Sequence, residues 1–326
     1  MANNVGKGPI GILEKALTGN IWIEQNLAFM NEGDKDGYSV MKHDITSGIR
    51  ARTNDPSAAT NGSQQIGAVQ RSLTVLESYH EFNPASYENY WKEYQPDGNF
   101  DWQKLPSKIQ TSLENLFLGG VAEGVQDLLT NGGSAFASGL IDQLAAISTS
   151  LNGVSPTSAQ IVASNVLAFK AGSDGTGDQL GVSLTAQNIF QKLEILIKNQ
   201  TKEMRKRAGR KFMVSHGTAD ILREAQRLEL NFKGVDVTSE GVMRYAGYDF
   251  IENASFPDDT ILFASMTGDM KSDAIQLGTS MSSDFNNLEV ERTSNFGRLY
   301  GMLLTFAIDI YVVRPEEVCY YSVAAL

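Results

Sequence analysis

The sequence predicts an α+β fold, and three stretches carry that prediction. Met243 to Met266 (MRYAGYDFIENASFPDDTILFASM) reads as two strands joined by a turn. Val242, Arg244, Ala246, Tyr248 and Phe250 alternate with Met243, Tyr245, Gly247, Asp249 and Ile251, and the cluster Phe256-Pro257-Asp258-Asp259-Thr260 supplies turn chemistry before Ile261-Leu262-Phe263-Ala264. Ser107 to Thr130 places Ile109, Leu113, Leu116, Phe117, Gly120, Val121, Val125 and Leu128 at three- and four-residue spacing, the signature of an amphipathic helix. Leu303 to Val313 and Val318 to Val323 close the chain as two strands separated by Arg314-Pro315-Glu316-Glu317. None of these stretches sets a nucleophile beside a base, which directs the reading toward shape rather than chemistry.

Composition narrows the classes further. The 326 residues are enough for one large or two modest cores, and 42% hydrophobic with 20% charged is an ordinary globular balance. A formal charge of -11 argues against a broad grip on phosphate backbone, which needs clustered Lys and Arg. The single cysteine, Cys319, has no partner for an internal disulfide and lies in the apolar run YVVRPEEVCYYSV, as expected for a buried thiol in a reducing compartment. No apolar run reaches the ~20 residues that span a bilayer, and MANNVGKGPIG lacks a signal-peptide core, so the expectation is a soluble protein of a cytoplasm with no membrane partner.

In chain order, residues 1–37 alternate short apolar patches (Ile10 to Leu17, Ile21 to Met30) with Gly, Asn and Asp. Such an arm has too little apolar surface to order itself and must lie on its own domain or a neighbour. From Tyr38 to Glu77 the flanks Tyr38 to Arg52 and Ile66 to Leu76 can pair as a two-stranded excursion around a polar middle rich in Asn, Gly, Ser and Gln. A lone pair of strands is marginal in water, so an excursion of this length is either disordered or docked on another subunit, and the rarity of long structureless segments in compact domains favours docking. Tyr79, Phe82, Tyr87, Tyr90, Trp91, Tyr94, Phe100 and Trp102 then crowd together. Without interleaved basic residues they read as cement for a loop-rich region rather than a base-stacking platform.

The long helix starts after Pro106 and stops at Asn131-Gly132-Gly133. Its Gly119-Gly120 pair costs roughly 1 kcal/mol per residue against Ala, so something should press close or the helix should bend there. A second helix is expected from Phe136 to Leu151. The run AGSDGTGDQLG (171–181) fits neither a Ca²⁺ loop nor a phosphate loop and reads as surface. An amphipathic helix follows from Ser183 to Arg207, its terminal Lys and Arg suiting the helix dipole. Then come a strand, Lys211 to His216, and a short helix, Thr218 to Leu228. Ser215 and His216 have the residue types of nucleophilic catalysis, but neighbours in a strand point to opposite faces and no nucleophile elbow surrounds them.

Taken together, Phe212-Met213-Val214-Ser215 with the helix through Leu222, Tyr245-Ala246-Gly247-Tyr248-Asp249-Phe250-Ile251 with Pro257-Asp258-Asp259-Thr260, the closing Ile310-Tyr311-Val312-Val313, and the order of arm, excursion, long helix and strand pairs resemble the tailed-bacteriophage major capsid proteins. The resemblance lies in architecture over nearly the whole chain, not in an invariant motif. It implies a Hong Kong 97-like capsid fold: an N-terminal arm (1–37), an extended E-loop hairpin (38–77), a peripheral domain (78–154) with a spine helix at 107–130, an axial domain (155–281), and return strands to the peripheral domain (282–326). It further implies pentamers and hexamers of an icosahedral or prolate virion shell assembled in a host cytoplasm, with no catalytic site, cofactor or metal. The chain itself would be the main partner, with a separate scaffolding protein, a portal, decoration proteins, and double-stranded DNA enclosed without specific binding. Inter-subunit contacts are expected from Arg50, Arg52, Gln64, Gln65 and Arg71 of the loop and from Trp22 and Phe29 of the arm. The alternatives are an encapsulin-type cargo shell of the same fold and a hydrolase using Ser215 and His216 or the Asp258-Asp259 pair.

Overall fold

A computed structural model describes residues 20–32, 38–45, 64–94, 100–102, 105–133, 139–144, 172–173, 179–180, 183–198, 200–228, 235–237, 243–269, 273–279, 287–293 and 299–322. Arg50 and Arg52, the middle of the excursion, most of 171–181, and the second helix beyond residues 140–144 lie outside them. In chain order the elements are α1 (Ile21–Glu24), β1 (Phe29–Glu32), β2 (Tyr38–Ile45), β3 (Gln64–Arg71), β4 (Thr74–Phe82), α2 (Glu88–Trp91), α3 (Ser107–Asn131), β5 (Gly172–Ser173), β6 (Gln179–Leu180), α4 (Ile189–Lys198), α5 (Lys202–Lys206), β7 (Arg210–Val214), α6 (His216–Leu228), β8 (Val235–Val237), β9 (Met243–Tyr245), β10 (Tyr248–Glu252), β11 (Ile261–Ser265), β12 (Ile275–Thr279), β13 (Asn287–Arg292), β14 (Tyr300–Val312) and β15 (Val318–Tyr321). Helices and strands mix in an α+β arrangement.

Two sheets dominate. In the first, the 13-residue β14 is long enough to take β13 along Tyr300–Thr305 and β12 along Ile308–Val312, while β4 pairs with its other edge over Tyr300–Ile308. Strand β1 extends this sheet by pairing parallel to β12, so the chain from Phe29 onward is built into it. The second sheet has the order β15-β11-β7-β10-β9-β8, with β7 and β10 parallel.

Alternation along the second sheet explains why its strands read as continuous apolar runs. Met213, Ile251, Leu262, Ala264, Val318 and Tyr320 face one core, shared with α3 (Phe117, Leu118, Val121, Val125, Leu129) and the first sheet. Phe212, Val214, Phe250, Ile261, Phe263, Cys319 and Tyr321 face a second core, shared with α4 and α6 through Leu193, Leu196, Leu222 and Ala225. A strand buried on both faces has no polar side to show. The sheet is therefore a wall between two cores, and Phe212 stacks between Phe250 and Phe263 with ring centroids 4.9 and 4.2 Å away.

Several expectations change. Ala246 and Gly247 both have positive φ (51° and 84°), the backbone of a tight two-residue hairpin turn, so the alternating run is two short strands, β9 and β10. Strands β10 and β11 are not partners, because β7 lies between them. The helix expected over 183–207 divides into α4 and α5, and Thr201, in extended conformation, accepts from the Met204 backbone N–H at 3.1 Å and restarts it. The strand expected to reach His216 ends at Val214. The closing strands β14 and β15 lie in different sheets. Finally, a Cβ built at Gly119, Gly120 or Gly124 meets nothing within 4 Å, so no described part of the chain presses on α3 there.

Candidate functional site

Ser215 and His216 do not form a catalytic pair. The Ser215 hydroxyl donates to Asp258 Oδ1 at 2.7 Å and accepts from the Thr218 N–H at 3.0 Å, which makes it the cap of α6. His216 begins that helix and its Nδ1 faces Glu252 Oε2 at 3.1 Å on the exposed side, where Arg223 also engages Glu252. The Asp258-Asp259 turn is not a freely solvated corner: Asp259 Oδ1 accepts from the Leu184 N–H at 2.9 Å while Asp258 holds Ser215. Gly217 lies beneath it, and a Cβ there would sit 2.5 Å from Asp258 Oδ1 and push that carboxylate out of place. Among the described residues no group of three or more His, Cys, Asp or Glu side chains is placed to hold a metal, and no helix is long and apolar enough to cross a membrane. Burial pushes the Cys319 thiol up to about 12, so it stays neutral and unreactive.

Among the described residues, the fold leaves one face of α3 uncovered. The buried stripe of α3 runs through Phe117, Leu118, Val121, Val125 and Leu129. Leu116 falls outside that stripe and is 68% exposed, with Gly119, Gly120 and Gly124 open beside and beyond it. Two clefts flank it. One, of about 340 Å³, lies toward β4 and is lined by Tyr79, Phe82, Leu113, Phe117 and Met302. The other, of about 580 Å³, is lined by Pro84, Trp91, Phe100, Ile109 and Leu113. Strand β4 is an edge among the described residues, and Val75 and Tyr79 on it are exposed. The aromatic cluster forms the floor: Phe100 meets Trp91 edge-on at 5.3 Å and Tyr300 at 4.8 Å, and the Trp91 indole donates to Pro84 O at 2.6 Å. Ser78, His80, Lys108, Ser112 and Asn115 complete the rims, so exposed apolar side chains and polar groups alternate around this part of α3.

The second feature is the hairpin of β2 and β3, paired from Tyr38↔Arg71 to Ile45↔Gln64 and belonging to neither large sheet. Gln64 and Gln65 stand at its far end, opposite Ile45 and Asp44. Arg71 stands at its base and is engaged with Asp309 of the same chain. Phe29 is half-buried in β1, and Trp22 is fully buried in the chain's own core. Sequence reasoning counted Leu116 among the apolar positions of this helix and singled out Gly119 and Gly120, but it did not mark Leu116 or Val75 as exposed or pick out Gly124. The available signal was the consecutive Leu116-Phe117-Leu118, more apolar residues than one helix face can bury.

The sequence matches no protein-family model and no curated protein. Solved structures do share its fold. The satellite phage P4 procapsid aligns with a TM-score of 0.55 and 11% identity over 97% of this chain and 99% of that chain. The capsid of the native GTA particle gives 0.53 and 13% over 94% and 90%. The holo encapsulin complex from Synechococcus elongatus gives 0.51 and 11% over 93% and 87%. At such identities the likeness establishes the fold: this chain has the fold of shell-forming capsid proteins along nearly its whole described length.

Proposed function

We propose that this chain is the subunit of a closed protein shell, a major capsid protein whose pentamers and hexamers enclose the double-stranded DNA of a tailed phage. The observation that carries the proposal is the end-to-end likeness to the phage P4 procapsid, 97% of this chain against 99% of that one. The exposed apolar face of α3 and the projecting hairpin support it, since both call for neighbours. In this reading the hairpin is the E-loop, α3 the spine helix, and 155–281 the axial domain. Arg50, Arg52, Gln64 and Gln65 of the loop, and the arm ahead of residue 20, lie on adjacent subunits. Each subunit then buries well above the ~1,600 Å² of a standard interface. A charge of -11 suits a container that must not trap its DNA. Scaffolding, portal and decoration proteins would be separate chains meeting this one in the host cytoplasm and the virion.

An encapsulin-type cargo shell is the second reading, favoured by the likeness to the Synechococcus elongatus complex. The contents of particles isolated from the native source, DNA or protein cargo, separate the two. The interface itself is tested by Leu116→Asp. The side chain is exposed, so the melting temperature should stay within about 2 °C of wild type. Sedimentation should show subunits or capsomers where wild type gives large particles. Unchanged particle yield would remove the α3 face from the interface.

A further inference from the structure

We propose that Arg71 is a positioning residue that fixes the direction in which the β2–β3 hairpin leaves the body of the subunit. Arg71 is the last residue of β3, and only Ser72 and Leu73 separate it from β4, which is locked into the first sheet. β2 and β3 pair only with each other among the described strands, and β2 also touches β1, so the angle of the hairpin is set where its two strands leave the body, with the β3–β4 link the shorter of the two connections. The grip on this link is written along one face of β14. Its even residues Phe306, Ile308, Ile310 and Val312 enter the main core. The odd residues hold the link: Ala307 and Val313 enclose Leu73 with Tyr311 packed beside them, and Asp309 and Tyr311 take Arg71.

The geometry is specific to arginine. Arg71 Nε donates to Asp309 Oδ2 at 3.0 Å and its terminal nitrogen NH2 to Oδ1 at 3.3 Å, while the guanidinium lies 4.6 Å from the centre of the Tyr311 ring. A planar fork bound in two places and stacked on a ring fixes orientation as well as distance, which a lysine ammonium does not. The Asp309 side chain is only 4% exposed, so the clamp is anchored in a buried carboxylate rather than in a loose surface pair. In a shell, small rotations of the hairpin would carry its tip to different places on a neighbour. That consequence rests on the proposed shell function, but the clamp itself does not.

The test is a distance measurement on the full chain before assembly, with monomer confirmed by light scattering. Spin labels at Lys42→Cys in the hairpin and Glu224→Cys on α6 report the angle, and buried Cys319 does not label. Wild type is expected to give one narrow distance population. Arg71→Lys and Tyr311→Leu should each broaden it at least twofold, and in assembled samples should widen the range of particle diameters. A merely structural role would lower the melting temperature and leave the distance width unchanged, and that result in both variants overturns the proposal. Should Arg71→Ala fail to fold because Asp309 loses its two bonds to the guanidinium, the lysine and leucine variants still decide. If wild type forms no shell but the widths respond, the shell reading fails and the clamp stands.

Discussion

At the scale of single residues, the polar groups that looked reactive are structural. Ser215 satisfies the first turn of α6 and is itself held by Asp258, so the Ser-His-Asp vocabulary is present without the arrangement. Ser215→Ala should cost about 1 kcal/mol in chemical denaturation, the usual loss for a missing helix cap. Asp273 gives a pH-dependent prediction. Its carboxyl is buried and accepts from the Thr267 N–H at 2.6 Å and the Thr267 hydroxyl at 2.7 Å. Burial outweighs these bonds and raises its pKa. A raised folded-state value means that the contribution to stability is present below the unfolded pKa, near 3.9, and is lost as pH rises through the folded value. The stability of Asp273→Asn relative to wild type should therefore increase from pH 4 to pH 7. A pH-independent difference would show that Asp273 does not titrate abnormally.

At the scale of elements, α3 was legible and its outer face was not. Its limits followed from Pro106 and from Gly132, whose positive φ of 75° and N–H bond to Leu128 O at 2.8 Å end it. Periodicity counts apolar residues but does not say which of two adjacent faces finds a partner within the chain, so Leu116 was indistinguishable from Phe117. The turn at Ala246-Gly247 escaped because Ala is an unusual residue at positive φ, which left Gly247 as the one local signal. The split between α4 and α5 has a visible signal only in hindsight: Thr201 followed three residues later by Met204, a cap without the acidic partner of a capping box. The open glycines make a further prediction. Gly119→Ala and Gly120→Ala should each stabilise the isolated subunit by about 1 kcal/mol, since the added methyl meets nothing among the described residues. If another subunit packs on this face, the same variants should reduce particle yield. Stabilisation with full assembly would mean that no neighbour comes close at that point.

At the scale of the whole molecule, the second sheet is the organising element. Its alternate residues serve two cores, one built on α3 and the first sheet, the other on α4 and α6. Arg207 adds a bond between segments far apart in sequence, its Nε and terminal nitrogen reaching Glu317 at 3.0 to 3.1 Å, with the Glu317 side chain only 2% exposed. The strand content of 243–266 was readable from alternation, but its place was not. Nothing in that stretch says that β7, from more than thirty residues upstream, inserts between β10 and β11. Long-range pairing is decided by complementary faces, and a single sequence shows only one partner at a time.

The proposed function is tested most directly by negative-stain electron microscopy of the full chain, expressed alone and with the scaffolding protein that the proposal calls for. Closed shells or rings of five and six subunits, with α3 and the hairpin at the contacts between them, are the expected result. A chain that stays monomeric and compact under both conditions would contradict the account.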